Sequence, residues 1–176
     1  MVVAESGREF CPVCRFEWAA IVPDELPDRM NRAVDEMVMI VSHDPEGARR
    51  RIETGRWSSH EYAAHVRDVL LVVRERLILA SIEDQPDPAM LHRDERVDLG
   101  LYVGESTAET ARSLEVAREL FLTAHAALAG RFADRTMVYS AAYGGVRTNE
   151  WASAQALHEC EHHLDDIREN QRRLSA

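Results

Sequence analysis

The chain has 176 residues, 45% of them apolar and 30% charged, which suits one globular domain with a sizeable core and is short for two. Its 31 acidic residues outnumber 21 basic ones, a net charge of −10 that argues against nucleic acid or an anionic membrane as partner. No charged-then-apolar leader and no apolar run near the roughly 20 residues of a bilayer span is present, so a cytoplasmic protein with cysteines as thiols or ligands is expected.

In chain order, residues 1–22 read as an arm carrying Cys11-Pro12-Val13-Cys14. CxxC spacing suits half a zinc knuckle or a redox pair, but a closed structural zinc site needs four ligands and no second CxxC follows. Cys11 and Cys14 are therefore expected to be accessory thiols in a packed or flexible arm. A ligand role beside a histidine, or in a dimer, is the alternative.

Residues 23–176 carry four segments of helical periodicity. The first spans about Leu26 to Ser42, with Asp44-Pro45 marking its end. The second opens at a capping box, Ser58 to Glu61, and runs to about Ile82, with Tyr62, His65, Val69, Val72 and Val73 on one stripe. A long connection follows to Glu105. A second capping box, Ser106 to Glu109, starts a third helix reaching about Leu128, with Gly130 as its stop. Two short β-prone runs around Gly144-Gly145 suggest a small hairpin before a fourth helix, which Asn149 caps and which ends near Arg173. Four amphipathic helices with little strand signal imply an all-α four-helix bundle, the long connection acting as a crossover.

The chemistry concentrates in the fourth helix, within ALHECEHHLDDI. His158 and His162 are an (i, i+4) pair and present two imidazoles to one side. His65, an imidazole inside the apolar stripe of the second helix, costs desolvation unless it is hydrogen-bonded or coordinated. The three would fill three corners of a tetrahedron and leave one open, as in a catalytic metal site. His158 and His162 face away from the apolar stripe of their helix, so either they are solvated or a second side of the helix is covered and lines a pocket whose rim includes Trp151. Glu159 and His163 form another (i, i+4) pair, turned about 100° away, so both pairs cannot serve one site. Asp165 or Asp166 could orient an imidazole through its second nitrogen. Tyr62, on the face of His65, is the first candidate for a catalytic group, with core packing as the alternative. Cys160 falls on the apolar stripe Leu157, Cys160, Leu164, Ile167 and is expected to be a buried small residue.

Trp57 followed eight residues later by His65, then the late His158-xxx-His162-His163-Leu-Asp, resembles the DinB-like (DinB/YfiT) superfamily over about Leu26 to Arg173. That group includes the N-terminal domains of mycothiol-dependent maleylpyruvate isomerases and the bacillithiol or mycothiol S-transferases. The resemblance implies an up-down-down-up bundle and a divalent metal, zinc or nickel, held at the positions of His65, His158 and His162. In the isomerase branch the position matched to His158 is a glutamate, so the histidine here looks like the main branch. The segment CPVCRFEW is similar to a CxxCGF arm of actinobacterial members, with Arg15 in place of the glycine. By analogy the metal activates a low-molecular-weight thiol against a small-molecule electrophile, as in an S-transferase or related detoxification enzyme. The alternative is a non-catalytic, stress-linked bundle that binds metal or a partner, self-association as a homodimer included.

Overall fold

Ser58 and Ser106 each accept a hydrogen bond from the backbone N–H three residues on, at 3.2 Å. Glu61 and Glu109 reach back to the Ser58 and Ser106 N–H groups at 2.8 Å, so both expected capping boxes are formed. They open two of the four long helices of the computed structural model, which describes residues 2–3, 9–140, 143 and 145–176. The helices are α1 (Leu26–His43), α2 (Pro45–Arg49), α3 (Ser59–Ile82), α4 (Arg93–Asp98), α5 (Thr107–Phe132) and α6 (Asn149–Leu174). Two antiparallel strand pairs accompany them: β1 (Val2–Val3) with β2 (Glu9–Phe10), and β3 (Thr136–Ser140) with β4 (Gly145–Thr148). The second pair is the expected hairpin, although Gly144 lies outside the described residues.

Three local expectations are corrected. α5 runs through Gly130 to Phe132. Thr148, not Asn149, caps α6, its hydroxyl accepting from the Trp151 N–H at 3.1 Å. The Asn149 side chain turns back instead and donates to the Leu77 carbonyl and Ser81 hydroxyl of α3 at 3.4 and 3.2 Å. The connection after α3 contains α4, held down because Asp68 of α3 accepts from Arg96 at 2.8 Å and from the Tyr102 hydroxyl at 2.9 Å.

Side-chain pairs fix the helix directions. Glu36 and Arg29 of α1 form bidentate pairs with Arg168 and Glu161 of α6, the same offset of seven in each helix, so α1 and α6 run parallel. His60 near the start of α3 meets Thr110 near the start of α5 at 2.8 Å, so these two are also parallel. The start of α6 meets the end of α3 through Asn149, and Asn170 near its end donates to the Trp57 carbonyl at 2.9 Å, so this pair is antiparallel. The course is thus up-down-down-up, with α1 facing α3 and α5 facing α6 across the diagonals. A parallel α3–α5 pair requires the connection to travel back along the bundle, which explains its length.

Met30, Val34, Met37 and Val41 of α1, Leu70, Val73 and Leu77 of α3, Leu114 and Phe121 of α5, and the predicted stripe of α6 meet in one core. No helix among the described residues is long and apolar enough to cross a membrane. Replacing Ser58 with alanine removes one capping box and is expected to cost about 1 kcal/mol. Thermal unfolding should then fall by roughly 2–4 °C; an unchanged midpoint would show that this cap contributes nothing.

Candidate metal centre

α6 is buried on three sides, because α1 and α3 pack on two of its faces and the N-terminal arm on another. The two (i, i+4) pairs, offset by one residue, therefore open onto different surroundings. Glu159 and His163 turn toward α3 and meet His65. Glu159 Oε2 lies 3.4 Å from His65 Nε2 and 3.2 Å from His163 Nε2. A tetrahedral shell with bonds of about 2.0–2.1 Å sets its ligand atoms about 3.3 Å apart, so this spacing matches that of a three-ligand shell. His163 Nε2 makes no hydrogen bond despite its proximity to the carboxylate. All three residues are at least nine-tenths buried.

The surroundings orient each ligand. Asp166 Oδ2 accepts from His163 Nδ1 at 3.0 Å, the outer contact that fixes a ligating imidazole. Arg56 in turn clamps Asp166 Oδ1 at 3.1 Å and Asn170 Oδ1 at 2.7 Å. Gln155 donates to the second Glu159 oxygen at 2.6 Å and accepts from Trp18 Nε1 at 2.7 Å. Trp57 stands edge-on to His65, ring centres 5.3 Å apart, and Tyr62 stacks on His163 at 5.1 Å.

These contacts set the charge states. Burial keeps the His65 pKa below its usual value. Burial would raise the Glu159 carboxyl, but His158, His163 and His65 hold it well below the usual carboxylate range. Burial likewise opposes protonation of His163, yet Asp166 and Glu159 lift it to about 9. The cluster thus sets a desolvated carboxylate, held in its ionised form, among imidazoles, a donor set suited to a divalent cation that takes the place of the proton on His163.

His65, His158 and His162, the set expected from the sequence, do not share one cluster among the described residues. His65 gathers with Glu159 and His163, whereas His158 and His162 gather with Cys11 and Cys14 of the arm, the four ligand atoms lying within 4.8 Å of one another. The helical wheel carried the missing signal. At 100° per residue, Glu159 and His163 lie about 100° from the centre of the Leu157/Cys160/Leu164/Ile167 stripe, and His158 and His162 about 160°. The pair nearer the stripe is the one that can meet a histidine facing inward from α3.

The other singled-out residues are placed as follows. Asp165 is exposed and pairs with Arg168 at 2.9 Å, so Asp166 is the orienting carboxylate. Tyr62 packs against His163 and Trp57 and does not line the cavity beside the cluster. Trp151 stacks on Trp18 at 5.9 Å and lines a different cavity of 440 Å³ that contains neither cluster. Cys160 is fully buried in the core, which raises its thiol pKa. In the arm, burial pushes the Cys14 thiol up to about 11. For Cys11 burial acts the same way but is outweighed by the backbone N–H groups of Cys14 and Val13 and by His158, which bring it down to about 7.

His65 and Glu159 of the cluster line a cavity of 420 Å³ between α3, α6, β3 and the crossover. Its walls include Val69, Val72, Val73 and Leu91, with Arg76, Arg93, Tyr139 and Tyr143 as polar groups, and His65, Gln155 and Glu159 at the cluster. Arg76 is buried, donates to the Ala89 carbonyl at 2.8 Å, and has an unpaired buried Nε. Among the described residues no carboxylate forms an ion pair with it. Sequence reasoning missed Arg76 because it breaks an otherwise apolar run and reads as a solvated charge.

Fold and site together define an all-α bundle with a buried histidine–carboxylate cluster between facing helices, open to a small-molecule cavity. The chain belongs to the DinB superfamily, whose family model matches residues 24–167. It is similar in structure to YfiT from Bacillus subtilis, with a TM-score of 0.76 at 18% identity, over 95% of this chain and 94% of that one. YfiT is described as a probable metal-dependent hydrolase with an unusual four-helix bundle topology. No curated protein matches the chain in sequence.

Proposed function

We propose that His65, Glu159 and His163 hold a divalent cation, zinc or nickel, and that the protein is an enzyme that directs a small nucleophile onto an electrophile in the adjacent cavity. The nucleophile we assign first is a low-molecular-weight thiol of the mycothiol type, giving an S-transferase or a related detoxification activity. The observation that carries this reading is the gathering of three ligand atoms within 4.8 Å of one another, Glu159 standing 3.2 and 3.4 Å from the two imidazoles, with His65 and Glu159 lining a 420 Å³ cavity. When bound, such a cation lowers the pKa of a coordinated thiol or water, so that the nucleophilic anion persists at neutral pH.

The chain's own residues supply the rest. Three protein ligands leave a coordination position free, as catalytic sites require. Asp166 and Gln155 fix the ring of His163 and the carboxylate of Glu159, so the ligands need no reorganisation on binding. The valines of α3 and Leu91 exclude water from the reacting groups. Arg76, cationic and without an acidic partner, is suited to anchoring a carboxylate on the thiol or the electrophile. The resemblance to the thiol-dependent members of the superfamily favours the thiol reading. The description of YfiT favours water as the nucleophile, and the two are separated by substrate choice.

The test is turnover of an electrophile panel by the metal-loaded protein, with mycothiol-type thiols in one arm and with water alone on esters and amides in the other. Thiol-dependent turnover supports the S-transferase reading; turnover with water alone replaces it with hydrolysis. No rate above background in either arm overturns catalysis. In the active arm, Arg76→Met is expected to raise KM for an anionic reactant about 10- to 100-fold, the weight of a charged hydrogen-bonded contact. An unchanged KM would remove Arg76 from the binding site.

A further inference from the structure

The geometry points to a second metal site, distinct from the first, in which Cys11, Cys14, His158 and His162 bind one structural zinc-type cation and clasp the N-terminal arm to α6. Cysteine thiolate and imidazole are the donors that select such a cation, and the spacing C-x2-C with H-x3-H is that of closed four-ligand sites. The four ligand atoms already lie within 4.8 Å of one another, Cys11 Sγ standing 3.8 Å from His162 Nδ1.

Two further observations support ligation. His158 is 6% exposed, yet neither of its ring nitrogens makes a hydrogen bond. Nδ1 has Glu159 Oε1 only at 3.7 Å, beyond hydrogen-bond reach, and two such buried nitrogens are costly unless a bound ion meets one of them. His162 turns Nδ1 to Cys11 and Nε2 to Asp166, 3.9 Å away, so one nitrogen faces the proposed cation and the other an orienting carboxylate.

The arm is bent for this purpose. The Cys11 N–H donates to the Phe16 carbonyl at 2.8 Å and the Arg15 N–H to the Cys11 carbonyl at 2.9 Å, which closes a tight turn around the CxxC. Arg15 completes it at φ 64°, a left-handed conformation that favours glycine. Two thiolates and two neutral imidazoles neutralise a divalent cation, and four protein ligands leave no open position. The role is therefore structural. Phe16 and Trp18 follow the turn and cover His158, at ring distances of 5.2 and 5.0 Å. Trp18 donates to Gln155, which donates to Glu159, so the clasp positions a ligand of the first site.

The experiment uses the full chain purified under reducing conditions, with metal content and the spectrum of the cobalt-substituted protein as readouts. Wild type is expected to hold two equivalents and to show thiolate-to-cobalt charge-transfer absorption. Cys11→Ser/Cys14→Ser should hold one equivalent and lack that absorption, with helical circular dichroism retained. His162→Gln, which spares the arm, should weaken the same band. Loss of the first site would remove the other equivalent and leave the thiolate band, so the two proposals fail separately. Wild-type protein without a thiolate band, a Cys11–Cys14 disulfide in its place, or a double variant with unchanged metal content would each overturn the clasp.

Discussion

Glu159→Gln is expected to empty the His65/Glu159/His163 cluster and to reduce turnover by more than about 100-fold. Removing a partner that merely orients a ligand typically costs 10- to 100-fold in metal affinity or activity, and Glu159 is placed as a ligand itself. Glutamine has nearly the same volume and can still accept the Gln155 hydrogen bond, so the helix should remain folded. What disappears is the anionic charge, at a position 6% exposed where no water replaces it. Metal analysis should find one equivalent fewer than in wild type, with the thiolate-bound equivalent retained. Wild-type metal content together with wild-type turnover would exclude Glu159 from the ligand set.

The largest stability loss is expected at Phe121. It is the largest fully buried side chain among the described residues, and its ring lies nearly parallel to that of His125, centres 6.1 Å apart. Phe121→Ala is expected to cost about 3–5 kcal/mol through lost transfer energy and an unfilled cavity. For a chain of this size that lowers the melting temperature by on the order of 6–20 °C, measured on metal-loaded protein. α5 carries no ligand of either cluster, so metal stoichiometry at 25 °C should not change. A loss below about 1 kcal/mol would mean that the helices around α5 close the void almost completely.

Much of the bundle was legible because its signals are local. The serines at 58 and 106 with their glutamates, and the apolar spacing on α1, α3 and α6, specify helices through hydrogen bonds and contacts within a few residues. α5 passes its expected stop because Gly130 does not take the left-handed conformation that ends a helix, and the helix continues to Phe132. At the site, the sequence singled out α6 and His65 of α3, but the structure gathers His65 with Glu159 and His163 rather than with His158 and His162. Like residues, His158 and His162, looked like a pair, while Glu159 looked like a surface charge. Which pair faces α3 is decided by angular distance from the apolar stripe, and a one-residue error in register moves a ligand set to another face.

The surroundings of His158 were beyond local reasoning for a different reason. The arm reaches α6 across about 150 positions of chain, and nothing between Cys11 and His158 announces that contact. Cys11 and Cys14 looked like half a site because the other half was being counted toward His65. Assigning each histidine by face rather than by residue type leaves two complete donor sets instead of one set and a remainder.

Because 158, 159, 162 and 163 interleave on a single helical turn and a half, the two clusters are geared to a common shaft. A twist of α6 that drew one set of donors inward would swing the other set off its centre, and Asp166, touching a ring from each, would travel with both. Neither donor set can be retuned by nudging the backbone without detuning its neighbour, so adjustment of either is confined to the side chains and to the elements that face them.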